Sequence, residues 1–140
     1  MITLVLGTIG SDIHSVGNKI LDYALTEAGF KIINLGVLVT QEEYINAAIE
    51  TNADAILVSS LYGHAELDCR GFSQKHREAG LKIPMYIGGN ISIGKQPWND
   101  VKNKFEGELG FFRAYPPGTT INTIITDLTN DLIDRGEMIG

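Results

Sequence analysis

With 140 residues, 44% of them hydrophobic and 20% charged, the chain has the composition of one ordinary globular domain over 1–140, which excludes a disordered segment. A net charge of -6 argues against nucleic acid or an anionic membrane surface as partner, because both demand clustered Lys and Arg; the nearest cluster, Lys75-His76-Arg77, reads as a solvated helix face. A single cysteine, Cys69, allows no internal disulfide, and the apolar run after Met1 is too short for a signal or membrane segment, so a soluble cytoplasmic protein is expected.

The first apolar run, residues 2–6, is continuous and β-rich, as in a strand buried on both faces of a parallel sheet. Val16, Ile20, Tyr23, Ala24 and Ala28 then recur at three- and four-residue steps, predicting a helix over 16–28 that Gly29 stops. A short strand is expected over 31–35. Thr40 and Glu43 have capping-box spacing ahead of Tyr44, Ile45, Ala48 and Ile49, which marks the start of a second helix. Residues 54–59 form the most apolar short run and predict a central strand. A helix over 64–79 follows, weakened by Gly71; then come a fourth strand at 83–87, a short helix at 98–105 and a fifth strand at 110–114. Tyr115-Pro116-Pro117-Gly118-Thr119 is a rigid turn before a last helix containing Ile121, Ile124, Ile125, Leu128 and Leu132.

Strands alternating with helices in this way require a parallel sheet with right-handed crossovers and helices on both faces. The fold class expected is α/β, a doubly wound five-stranded parallel sheet of flavodoxin-like, Rossmann-like type. Ligands bind such sheets beyond the carboxyl ends of the strands, near the switch point between the first and third strands. The loops meeting there are residues 10–17, 59–63, 88–94 and 115–119.

Most occupants of this architecture fail for want of a residue. A nicotinamide dinucleotide needs Gly-x-Gly-x-x-Gly after the first strand and an acidic residue after the second; here stand Gly7-Thr8-Ile9-Gly10-Ser11-Asp12 and Leu35-Gly36. A phosphorylated receiver needs an aspartate where Ser59 stands. A flavin-phosphate cradle is the nearest miss, its Ser/Thr run interrupted by Ile9 and Gly10. A serine hydrolase built on Ser59 or Ser60 with His14 and Asp12 lacks the Gly-x-Ser-x-Gly elbow.

Asp12 and His14 are the chemically suggestive pair. Two residues apart in a loop, a carboxylate can bond one imidazole nitrogen and leave the other for a metal. The blander arrangement is a helix entry capped by Ser11 or Asp12 with an exposed histidine. The sequence Asp12-Ile13-His14-Ser15-Val16-Gly17, then Ser59-Ser60-Leu61, then Gly88-Gly89, each at the carboxyl end of a predicted strand, resembles the Asp-x-His-x-x-Gly, Ser-x-Leu, Gly-Gly signature of cobalamin-binding domains. With Val16-Gly17-Asn18-Lys19-Ile20-Leu21, Ile45-Asn46-Ala47-Ala48-Ile49-Glu50-Thr51, Val58-Ser59-Ser60-Leu61-Tyr62-Gly63, Gly88-Gly89-Asn90-Ile91, Gly94-Lys95-Gln96 and Tyr115-Pro116-Pro117-Gly118-Thr119, nearly the whole chain resembles the small cobalamin-binding subunits of glutamate mutase, also called methylaspartate mutase.

The resemblance implies adenosylcobalamin as cofactor. It implies that His14 replaces the cofactor's own dimethylbenzimidazole as cobalt ligand, with Asp12 fixing its tautomer. The displaced nucleotide tail would occupy a slot beside the sheet. The cofactor-binding residues implied are Ser11, Asp12, Ile13, His14, Ser15 and Gly17 in the first loop; Ser59, Ser60 and Leu61 in the second; Gly88, Gly89, Asn90, Ile91, Ser92, Ile93 and Gly94 in the third; and Tyr115 and Pro116 in the fourth. Glycines suit a slot because a side chain would take up the tail's volume. The reaction implied is the reversible rearrangement of L-glutamate to threo-3-methyl-L-aspartate. Substrate would be bound by a larger barrel subunit, two small chains assembling with two large ones, and no catalytic residue is expected in this chain. The remaining alternatives are a corrinoid methyl carrier for methyltransferases and a non-enzymatic cobalamin-binding or flavodoxin-like module. The first helix is expected to be partly mobile without cofactor, because residues 14–18 are poor helix formers.

Overall fold

The structure is a computed structural model that describes residues 2–10, 16–60, 65–89 and 97–134. Five parallel strands, β1 (Thr3–Thr8), β2 (Lys31–Asn34), β3 (Ala55–Ser60), β4 (Met85–Gly89) and β5 (Arg113–Ala114), lie in the order β2-β1-β3-β4-β5. The doubly wound parallel sheet is as expected, with the switch in strand order between β1 and β3. Register fixes which residues share a row: Thr8 pairs with Ser59, and Ser59 with Gly88.

Alternation along the strands sends side chains into two layers. Leu4, Leu6, Leu57 and Tyr86 pack against α1 (Val16–Glu27) and α6 (Ile121–Asp134) through Leu25, Leu128 and Leu132. Val5, Ile56, Val58 and Ile87 pack on the other face against α2 (Gln41–Thr51), α3 (Ala65–Cys69), α4 (Phe72–Glu78) and α5 (Trp98–Asn103), with Tyr44, Phe72, Val101 and Phe105 buried between. Strands buried on both faces explain the unbroken apolar runs of β1 and β3.

The helix boundaries follow from local chemistry. Thr40 caps α2 in a capping box: its hydroxyl accepts from the Glu43 N–H and the Glu43 carboxylate accepts from the Thr40 N–H. Gly29, at φ +101, ends α1, with the Phe30 N–H reaching back to the Leu25 carbonyl. The helix expected over 64–79 is two helices broken at Gly71, whose φ is +78; the Gln41 amide holds the break by donating to the Asp68 and Arg70 carbonyls at 2.7 and 2.8 Å. β4 begins two residues later than expected, after Pro84, and α5 continues into a π-helical turn, Lys104–Glu108.

Helix α1 departs from its expected packing. Ile20 and Tyr23, which the periodicity placed on the core face, are 54% and 70% exposed, while Asn18 and Leu25 are buried and Leu21 packs partly against the layer. The set 18, 21, 25 has the same three- and four-residue spacing as the expected one, so periodicity alone could not choose between the faces. Asn18 is fixed inward by accepting a 2.7 Å hydrogen bond from the Asn34 amide of β2.

Candidate functional site

A cleft opens at the carboxyl ends of β3 and β4, between α1 and α6. It encloses about 420 Å³ of empty space, including the part open to solvent. Its floor is Leu57, Ser59, Tyr86, Gly88 and Gly89, and its walls are Leu21 of α1, Ile124 of α6 and Tyr115 after β5. Most of these surfaces are apolar or backbone, as in a slot for an organic ligand.

The polar atoms at the rear of the cleft are already engaged. The Tyr86 hydroxyl donates to Asp131 at 2.8 Å, and the Tyr115 hydroxyl donates to Asp127 at 2.8 Å, both acceptors lying on α6. Arg113 grips Asp131 with two hydrogen bonds of 2.7 Å. Burial works against the Asp131 carboxylate, but the hydrogen bonds from Arg113 and Tyr86 outweigh it and hold its pKa below the ordinary value. Burial, reinforced by the acceptor carboxylates, pushes both tyrosine hydroxyls up, so they remain donors throughout the physiological range.

Of the residues expected from sequence, Ser59, Gly88, Gly89 and Tyr115 come together around this cleft. The two glycines are there for different reasons. A Cβ on Gly88 would stand 3.5 Å from the Tyr115 Cβ, in the space of the cleft, whereas Gly89 has φ +98, which a side chain would strain. Ser60 departs from expectation: alternation turns it to the α2 to α5 layer, where it is fully buried, so its side chain does not line the cleft. Pro116 is half-buried, outside the lining, and its carbonyl accepts from the Thr119 hydroxyl at 2.7 Å. Gly17 is the second residue of α1. Ser11, Asp12, Ile13, His14, Ser15, Leu61, Asn90, Ile91, Ser92, Ile93 and Gly94 lie outside the described residues.

The loop that carries Asp12 and His14 starts from a fixed point. Gly10 has φ +74, its N–H donates to the Val39 carbonyl at 2.9 Å, and a Cβ there would collide with the Asp68 carboxylate of α3. Both restrictions favour glycine there. Among the described residues no group of His, Cys, Asp and Glu is arranged to hold a metal ion, and no helix is long and apolar enough to cross a membrane.

Leu21, Leu57, Tyr86 and Ile124 were not among the residues expected at the site. Leu57 and Tyr86 lie two residues before Ser59 and Gly88 on the same faces of their strands, so strand alternation carried a signal for them. For Leu21 and Ile124 it did not, since they meet the cleft only once two helices have packed on the sheet.

Residues 2–101 match the B12 binding domain. Over 135 residues, 96% of each chain, the sequence is 61% identical to the glutamate mutase sigma subunit of Treponema denticola. It is 59% identical to that of Clostridium tetanomorphum over 90% of this chain and 92% of the relative. The chain belongs to the glutamate mutase sigma subunit family. Membership makes it a cobalamin-binding component of a mutase, an isomerase. Solved structures share its fold. A cobalamin-binding protein from Desulfitobacterium hafniense matches with a TM-score of 0.74 at 19% identity, over 92% of this chain and 58% of that one. The signal receiver domain of a response regulator from Mycobacterium tuberculosis matches at 0.67 and 14% identity, over 94% and 95%. The same fold is thus shared with a signal receiver domain, so it does not by itself identify a function.

Proposed function

We propose that the chain binds adenosylcobalamin for the reversible rearrangement of L-glutamate to threo-3-methyl-L-aspartate, working in the cytoplasm with a larger barrel subunit that binds glutamate, two small chains with two large. The observation that carries this reading is the apolar cleft between α1 and α6, floored by Ser59 and Gly88, immediately beside the strand end from which the Asp12 and His14 loop departs. The residues fit the cofactor's nucleotide tail: Gly88 leaves open the volume that a Cβ would fill, and both tyrosine hydroxyls are turned away to α6.

Adenosylcobalamin supplies, when bound, the homolysis of its cobalt–carbon bond that opens the rearrangement. The chain's residues hold and orient it. His14 would donate an imidazole nitrogen to cobalt, and Asp12 would accept from the other imidazole N–H, fixing the tautomer and strengthening the donor. Ser59, Gly88, Gly89 and Tyr115 would line the space for the tail, with Leu61, Pro116, residues 90–94 and Gly17 as the further contacts that the family signature implies. Ser11, Ile13, Ser15 and Ser60 would add further contacts to the cofactor, as the family signature implies.

The test is the electron paramagnetic resonance spectrum of added cob(II)alamin with the protein's histidines labelled in nitrogen-15. The axial coupling is expected to change to that of the labelled nucleus; an unchanged coupling would sink the His14 assignment. Turnover of glutamate on adding the larger subunit, and none without it, tests the division of labour.

A further inference from the structure

We propose that Thr8 is a second hydroxyl contact for the nucleotide tail of the cofactor, acting beside Ser59. The inference rests on the cobalamin reading above and goes beyond the signature motifs, none of which includes this position.

Thr8 ends β1 with no exposed surface, and its Oγ1 has no hydrogen-bond partner. Its backbone is fully engaged: the N–H donates to the Gly36 carbonyl and the carbonyl accepts from the Val39 N–H, each at 2.9 Å. The strand position is therefore fixed and only the hydroxyl is left over. A buried hydroxyl without a partner is costly, and a ligand that answers it would recover that cost.

The side chain faces the cleft's layer, fully buried and one strand over from the residues that line the cleft. A Cβ on Gly7 would touch Tyr44 and Val39, and Ile9 packs with those same residues, so Thr8 between them points to the opposite layer, that of Leu4 and Leu6. There it belongs to one cross-strand row, Thr8, Ser59, Gly88: two hydroxyls and an empty position. The row beneath, Leu6, Leu57, Tyr86, offers no free polar atom, because the tyrosine hydroxyl is taken by Asp131. The orphan atoms of Ser60 and Tyr44 lie in the other layer and cannot serve the cleft. Asn18 has an orphan Nδ2 on this layer, but its amide is tied to Asn34 on β2, across β1 from the cleft. A nucleotide tail carries acceptors on its ring, ribose and phosphate, which a hydroxyl donor can satisfy.

The experiment compares wild type, Thr8→Val and Thr8→Ser in binding cobalamin and cobinamide, which has the same corrin and no nucleotide, together with thermal melting of the cofactor-free proteins. Thr8→Val should bind cobalamin about 3- to 10-fold more weakly, the loss of one hydrogen bond, with cobinamide binding unchanged. Thr8→Ser should stay close to wild type. Cofactor-free Thr8→Val should melt no lower than wild type, since it removes an unsatisfied buried hydroxyl. Undiminished cobalamin binding by Thr8→Val overturns the proposal. So does an equal loss for both corrinoids, which would assign the hydroxyl to the cobalt-binding loop, and so does a lower melting temperature with cobalamin and cobinamide affected alike. Wild type that binds neither corrinoid would overturn the functional reading itself; wild type that binds cobalamin while Thr8→Val matches it overturns Thr8 alone.

Discussion

The two helices that wall the cleft are held in opposite ways. Helix α6 buries Leu128 and Leu132 completely and is fastened to the sheet by Tyr115 to Asp127, Tyr86 to Asp131 and the paired bonds from Arg113 to Asp131, side chains from β4, β5 and the turn after β5. Helix α1 buries Leu25 and Asn18, leaves Ile20 and Tyr23 largely exposed, and among the described residues takes its polar fastening from Asn34, which donates to Asn18 and to Asp22 at 2.7 and 2.8 Å. One wall is fixed by charge-assisted and hydroxyl bonds from β4, β5 and the turn after β5, and the other leans on a single residue of β2. The more heavily fastened α6 is expected to hold the shape of the slot, and α1 to be the wall that adjusts.

Breaking the rigid wall should have the largest effect. Leu128→Ala is expected to lower unfolding free energy by about 3 kcal/mol, read from urea denaturation, because it leaves a cavity under a fully buried side chain. Asp131→Ala should cost about 2 kcal/mol in the same measurement by stranding the Tyr86 hydroxyl and Arg113 together. Asn34→Ala, on the other wall, should cost about 1 kcal/mol and speed amide exchange in α1 more than in α6. Equal acceleration in both helices would erase the contrast.

Cofactor should sharpen the same asymmetry. Adding cobalamin is expected to raise amide-exchange protection over residues 16–25 more than over α6; equal protection of 16–25 with and without it would refute the mobility of the first helix. The smallest effect is with acid. Because the Asp131 pKa lies below its ordinary value of 3.8 in the folded chain, its contribution to stability is complete above that pH and fades as pH falls through the lowered value. Wild type should therefore lose more stability than Asp131→Asn between pH 4 and the acid limit of folding, in urea titrations at stepped pH.

Much of this was legible in the chain itself. The order of the βα units, the capping box at Thr40 and the stop at Gly29 are encoded by neighbours within a turn or two, where backbone chemistry decides the outcome. The helix over 64–79 already carried its own contradiction in Gly71, and the break occurs there. Of the expected site residues, Ser59, Gly88, Gly89 and Tyr115 were legible at the strand ends that border the cleft, because strand ends stay together wherever the helices settle. The face of α1 was not legible, because two stripes of equal spacing competed, and Asn34 on a separate strand settled which one turned inward.

By itself the sequence determined the architecture and the family, because these depend on local patterning and on residues close together in the chain. Only the tertiary structure decided that Ser59 faces the cleft while Ser60 turns away, that Leu21, Tyr86 and Ile124 converge on one slot, and that Thr8 is left with an unanswered hydroxyl. The parity of a side chain and the company it keeps follow from sheet register and helix packing, which join residues up to a hundred positions apart.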